Sequence, residues 1–174
     1  MKKETQKLII RGALISLIIL AAALLQNTAG AMPAIRGARI FLLIPAVICA
    51  GMFHSEASGA AAGLFGGALW DLSSPAPDGF NALFLCLTGF LCAFLIRRYM
   101  RNRLRTALLF CTVTGLSFIL FQALIYSYYF TSLKLIPTLC ASNMPSFICT
   151  LAVSPLIYLG SSKIFSKANI TNIR

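Results

Sequence analysis

The feature that most constrains this chain is a series of long apolar runs, because apolar residues make up 59% of the sequence and charged ones only 11%. About 20 apolar residues cross a bilayer as an α-helix. The runs are continuous rather than alternating, so they predict helices and exclude a β-barrel. We therefore expect an all-α integral membrane protein, a compact bundle of about six transmembrane helices that forms a single domain over residues 1–174.

The predicted helices cover residues 8–25, 40–53, 57–70, 80–96, 106–130 and 138–160. The second and third are short for a hydrocarbon core of about 30 Å. They either extend into their flanks or form a thin or partly re-entrant region. The sixth contains Pro145 and Pro155, which we expect to break it. Such breaks are tolerated only where neighbours satisfy the freed backbone groups, so the sixth helix is predicted to lie well inside the bundle.

The net charge of +11 is concentrated in three segments, at residues 2–11, 97–105 and 163–174. Basic residues accumulate in cytoplasmic connections, so this pattern predicts a membrane protein with both termini in the cytoplasm, and no nucleic-acid partner. The middle segment has two interpretations, which are compatible: a topology signal, or a surface that contacts anionic lipids. Its basic residues are Arg97, Arg98, Arg101, Arg103 and Arg105.

Small residues and one acid recur every fourth position in the third predicted helix: Gly59, Gly63, Gly67 and Asp71. Residues four apart lie on one helix face, and small faces let helix backbones approach closely in lipid. This face either packs against the chain's own neighbouring helices or docks a partner's membrane helix. We expect Asp71 to lie near a membrane surface and to bind backbone N–H groups of the following turn, or a basic residue outside.

The turn after this helix contains Pro75, Asp78 and Gly79, and it carries one acid and no base. Before the helix, His54 and Glu56 stand close together. They are interpreted either as a proton-handling pair or as an interfacial turn in which Glu56 favours the helix N-terminus.

Catalytic chemistry has few candidate residues in this sequence. Four acidic residues and one histidine do not supply a metalloprotease ligand set, paired facing carboxylates or a conventional nucleophile–base pair. The six cysteines form no CxxC motif and are interpreted as small packing residues. We expect no enzyme activity, catalytic residue, cofactor or metal site.

The stretch from residue 35 to 98 resembles the MreD family of bacterial rod-shape proteins. The resemblance is carried by IPAVICAGMFHSEASGAAAGLFGGALWDL, by the short turn that ends at Gly79, and by NALFLCLTGFLCAFLIRR with Gly89. It implies a non-enzymatic membrane partner of an MreC-like protein, linked with the cytoskeletal MreB and with the enzymes that build peptidoglycan during cell-wall elongation.

Members of this family are also similar in arrangement to the S components of energy-coupling-factor transporters. The alternative function is therefore a substrate-binding subunit for a vitamin or other small solute. Such a site needs several convergent polar groups. The predicted spans offer only a scattered set, mainly Asn81, Gln122 and Asn143, which favours the scaffold. A lipid-handling or flippase role is a third possibility.

Overall fold

The computed structural model describes residues 2–28, 40–74, 79–130 and 135–167, and the regular structure in these ranges is entirely α-helical. Three of the described helices are long and apolar enough to cross a membrane, at Phe80–Arg98, Leu104–Ile125 and Asn143–Lys163. The predicted helical membrane bundle is thus confirmed. The helices are α1 (Lys2–Asn27), α2 (Leu43–Phe53), α3 (Glu56–Asp71), α4 (Phe80–Arg98), α5 (Leu104–Phe130) and α6 (Leu135–Lys167).

The central element of the bundle is α2. All of its residues are buried, and it contacts each of the other five helices. Its 11 residues span only about 17 Å, against about 30 Å for a bilayer core. Around it, α1 packs on α3, α3 on α4, and α5 on α6. The second apolar segment therefore forms a short helix inside the bundle.

A buried helix end needs hydrogen-bond partners from the protein, since lipid and packed side chains offer none. At the start of α2, the Leu43 N–H donates to Oε1 of Gln26, 3.0 Å away at the end of α1. The Phe41 N–H donates to Oγ1 of Thr150 on α6, also at 3.0 Å. Pro45 removes a further N–H from the first turn, where it has no helical acceptor. These residues allow the helix to begin inside the bundle.

The prediction that prolines break the last helix is wrong, because α6 runs continuously through Pro145 and Pro155. Proline at position 155 frees the carbonyl oxygen of Leu151 four residues earlier. The Ser154 hydroxyl donates to that oxygen at 2.8 Å, so the helix continues. The prediction that α6 lies well inside the bundle is also wrong. One side of it is exposed, at Met144, Ile148, Leu156 and Leu159.

Candidate functional site

The glycine seam, which we define as Gly59, Gly63 and Gly67, lies against α4 of the same chain. A Cβ atom at Gly63 would collide with the backbone carbonyl of Leu85, and one at Gly67 would collide with the backbone of Ala82. Each glycine further along α3 faces an earlier residue of α4, so the two helices are antiparallel. The seam is therefore filled within the chain, as in the interpretation that it packs against neighbouring helices.

Glycines from three helices meet at the other end of the seam. A Cβ atom at Gly59 would lie 2.6 Å from the carbonyl oxygen of Gly89 on α4 and 3.1 Å from the Cα atom of Gly51 on α2. Gly51 is the only glycine in the second apolar run, and its spacing alone did not indicate this contact. The backbones of α2, α3 and α4 are thus held together at a point where no side chain fits.

Asp71 is the last residue of α3, and its carboxylate binds the N-terminus of α4. Its Oδ1 accepts from the backbone N–H of Asn81 at 3.1 Å, and its Oδ2 accepts from that of Ala82 at 3.0 Å. The residue before α4 is Gly79, with a φ of 83°, a conformation that favours glycine, and it has no capping side chain. Asp71 therefore satisfies two N–H groups and places a negative charge at the positive end of the helix dipole.

Trp70, the neighbour of Asp71, belongs to an aromatic cluster centred on Phe118 of α5. The Phe118 ring centroid lies 5.0 Å from that of Trp70, 5.4 Å from those of Phe41 and Phe84, and 6.0 Å from that of Phe80. Phe118 is 2% exposed. Since Phe41 lies two residues before the start of α2, these rings pack where that short helix begins. Sequence reasoning missed the cluster because its members are spread over three helices and a connection.

The three polar residues considered for a solute site do not share one set of contacts. Asn143 Nδ2 donates to Gln122 Oε1 at 3.1 Å, which joins α6 to α5. Asn81 is 1% exposed, and its side-chain atoms have no hydrogen-bond partner among the described residues. Of the three residues considered for a solute site, two therefore bind each other.

The remaining predicted site residues lie at the two ends of α4. In the turn before it, Gly79 is described, whereas Pro75 and Asp78 lie outside the described residues. At its other end, the arginines at positions 97, 98, 101, 103 and 105 are all exposed, from the last turn of α4 to the first turn of α5. The structure places them far along the chain from Asp71, at the opposite end of α4, so the predicted seam and the basic segment are separate surfaces.

Thiols and acids show no metal-binding arrangement within the described part of the chain, where no group of three histidine, cysteine or acidic residues has suitable geometry. Cys49, Cys92 and Cys111 are buried and reduced on α2, α4 and α5. Glu56 is the first residue of α3, and the Oγ of Ser55 caps that helix by accepting from the Ser58 N–H at 3.3 Å. This segment forms a helix-capping turn between α2 and α3.

The substitution Asp71→Asn is expected to lower the stability of the α3–α4 hairpin by about 2 kcal/mol. It removes one of the two carboxylate oxygens that accept hydrogen bonds, and with the charge it removes the interaction with the dipole of α4. Asp71→Asn keeps the shape of the side chain and so tests the charge. The measurement is the melting temperature of the purified protein in detergent. Asp71→Glu serves as the control that keeps the charge but shifts its position. An unchanged melting temperature in Asp71→Asn would show that the carboxylate charge is unimportant.

Comparison with known proteins gives one informative result. The family model described as rod shape-determining protein MreD matches residues 6–167, which is nearly the whole chain. Comparisons with curated proteins and with solved structures gave no match. The match extends well beyond the stretch that carried the resemblance and includes α1 and α6, so the chain belongs to the MreD family of rod-shape-determining membrane proteins.

Proposed function

We propose that this protein is a non-enzymatic scaffold of the bacterial cell-elongation complex, which links an MreC-like membrane protein to the machinery of peptidoglycan synthesis. The family match supports a role in cell shape. The observation that supports a scaffold in particular is the close packing of the described helices at two places. The glycine seam is filled by α4, and the aromatic cluster occupies the start of α2.

A scaffold must present a fixed outer surface, and the described contacts serve that purpose. Backbone contacts between α2, α3 and α4 leave little freedom for these helices to move relative to one another. In this proposal the seam sets the shape of the bundle, and partners bind its outward faces. Gly59, Gly63, Gly67 and Asp71 therefore act on partner binding indirectly, by fixing the helices that present those faces.

The orientation that we propose places both termini and the arginine-rich connection in the cytoplasm. Its support is the charge pattern, since the segment from the last turn of α4 to the first turn of α5 carries five arginines. Asp71 and the turn that follows α3 then face the other side of the membrane. The MreC-like partner and the wall-building enzymes are reached from that side or through the membrane.

The test is to extract the tagged full-length protein from its native membrane with a mild detergent and to purify it by its tag. All co-purified proteins are then identified by mass spectrometry. We expect recovery of a single-span MreC-like protein together with enzymes of wall synthesis. A tagged six-span membrane protein of unrelated function is the matched control for non-specific retention. Equal recovery of the MreC-like protein with both baits would contradict the proposal.

The same experiment tests the transporter alternative. A solute-binding subunit of an energy-coupling-factor system docks on paired ATPases and a coupling membrane subunit, and recovery of these proteins would overturn the scaffold. The pairing of Gln122 with Asn143 supports the scaffold, because it uses a polar group of each side chain that a solute would otherwise have to bind. A tight solute site needs several polar groups that converge on the ligand.

A further inference from the structure

The segment from the last turn of α4 to the first turn of α5 carries the densest charge in the described chain. Residues 97–105 include five arginines, all exposed, and no acidic residue. We call this segment the arginine loop. Arginine presents a planar fork of donors that binds phosphate oxygens in pairs. Five such groups within nine residues form a multivalent surface for a phosphate-bearing ligand.

The arginine loop is attached to the core of the bundle through Asn102. Its Nδ2 donates to the carbonyl oxygen of Met52, 3.1 Å away near the end of α2. Its Oδ1 accepts from the hydroxyl of Tyr158 on α6 at 3.2 Å. A further hydrogen bond joins the loop to the first turn of α5, where Thr106 Oγ1 donates to the carbonyl oxygen of Arg101 at 3.0 Å. The loop backbone is thus fixed to α2 and α6.

The position of the loop along the membrane normal favours a lipid as the ligand. It joins two helices that are long and apolar enough to cross a membrane, so its arginines lie at the ends of these helices, at the edge of the hydrocarbon core. Tyr99 and Met100 stand between the arginines and are 74% and 38% exposed, which places apolar surface next to the charges. That combination matches the boundary between lipid tails and headgroups.

We propose that the arginine loop is a headgroup site for anionic phospholipids and that Asn102 is its positioning residue. The ligand is the phosphate of a membrane lipid, with the acyl chains against the exposed sides of α4 and α5. Asn102 carries no charge and holds the loop so that several arginines face the same headgroup region. This site is separate from the proposed partner surfaces and does not depend on them.

The test measures binding of fluorescent phosphatidylglycerol to the purified full-length protein in neutral detergent, with phosphatidylcholine as the reference lipid. We expect selective binding of phosphatidylglycerol that weakens as salt is added. Removing two charges with Arg101→Gln and Arg103→Gln is expected to lower its affinity roughly 30-fold. Both residues are exposed, so the fold is retained. Lys163→Gln, which removes an exposed charge on α6, is the control and should have a small effect.

The role of Asn102 is tested by headgroup selectivity, which a loss of stability alone does not change. Asn102→Ala should reduce the preference for phosphatidylglycerol although all five arginines remain. Tyr158→Phe, which removes one of the two hydrogen bonds, should act in the same direction and less strongly. Selectivity that survives in both variants would overturn the positioning role.

Two results would overturn the lipid site itself. One is equal binding of both lipids by the unmodified protein. The other is a loss in Lys163→Gln as large as in the double arginine variant, since that result would show a response to overall charge. Inorganic phosphate is included as a competitor. Its displacement of the lipid at a similar concentration would assign the loop to a soluble phosphate compound and contradict our proposal.

Discussion

We expect Gly63→Ala to destabilise the protein more than a glycine-to-alanine substitution at any other described position. Its Cβ atom would overlap the backbone carbonyl of Leu85, and a backbone atom on a neighbouring helix cannot rotate away. Overpacking of a close contact costs about 3 kcal/mol at the upper end of the usual range. The α3–α4 hairpin must therefore separate, which also stretches the bonds of Asp71 to the start of α4.

The measurement is the melting temperature and the monodisperse fraction of purified Gly63→Ala in detergent. Gly160→Ala is the matched control, since a Cβ atom there has no atom within 4 Å. Gly66→Ala gives an intermediate case, because its Cβ atom would meet side-chain atoms of Ile19 and Leu43 at 3.2 and 3.3 Å. We expect the order Gly160, Gly66, Gly63 in increasing damage. A Gly63→Ala protein as stable as Gly160→Ala would contradict the close approach of α3 and α4.

The hairpin of α3 and α4 could be predicted from the sequence because the residues that determine it lie within the two helices and the turn between them. Glycines at every fourth position predicted a close helix contact, and the predicted helix ends lie within two residues of those observed. The sequence also predicted that Asp71 would bind backbone N–H groups of the following turn or a basic residue outside, whereas the groups it binds are those of Asn81 and Ala82 in the first turn of α4. It did not distinguish a helix of the same chain from a partner's helix, since both need the same small residues.

The short length of α2 was harder to predict from the sequence, because residues far away in the chain determine where this helix begins and ends. Its 11-residue length depends on Gln26 of α1 and Thr150 of α6, which bind the backbone where the helix begins. At its other end, Asn102 binds the carbonyl of Met52. A single polar residue within an apolar run does not indicate its partner. Only the folded bundle shows that these three residues lie around one short helix.

Phe118→Ala is expected to be the second most damaging change, because it removes the ring that all four other members of the aromatic cluster contact. Replacing a buried phenylalanine by alanine usually costs about 3–5 kcal/mol. In lipid the transfer part of this cost is small, since hydrocarbon tails are as apolar as the ring. The remaining loss is that of packing, which places the expected effect near the lower end of that range, at about 3 kcal/mol.

Phe121→Ala is the control for Phe118→Ala. It removes the same side chain from the same helix, at a position where the ring is exposed rather than packed among other rings. Phe121 is 53% exposed, and its ring centroid lies 6.2 Å from that of Phe84. Lipid can replace most of its contacts, so we expect a loss below about 1 kcal/mol. Equal effects of Phe118→Ala and Phe121→Ala on the melting temperature would show that the cluster does not support the start of α2. A larger effect at Phe118 is expected because its ring contacts rings of α3, of α4 and of the connection before α2.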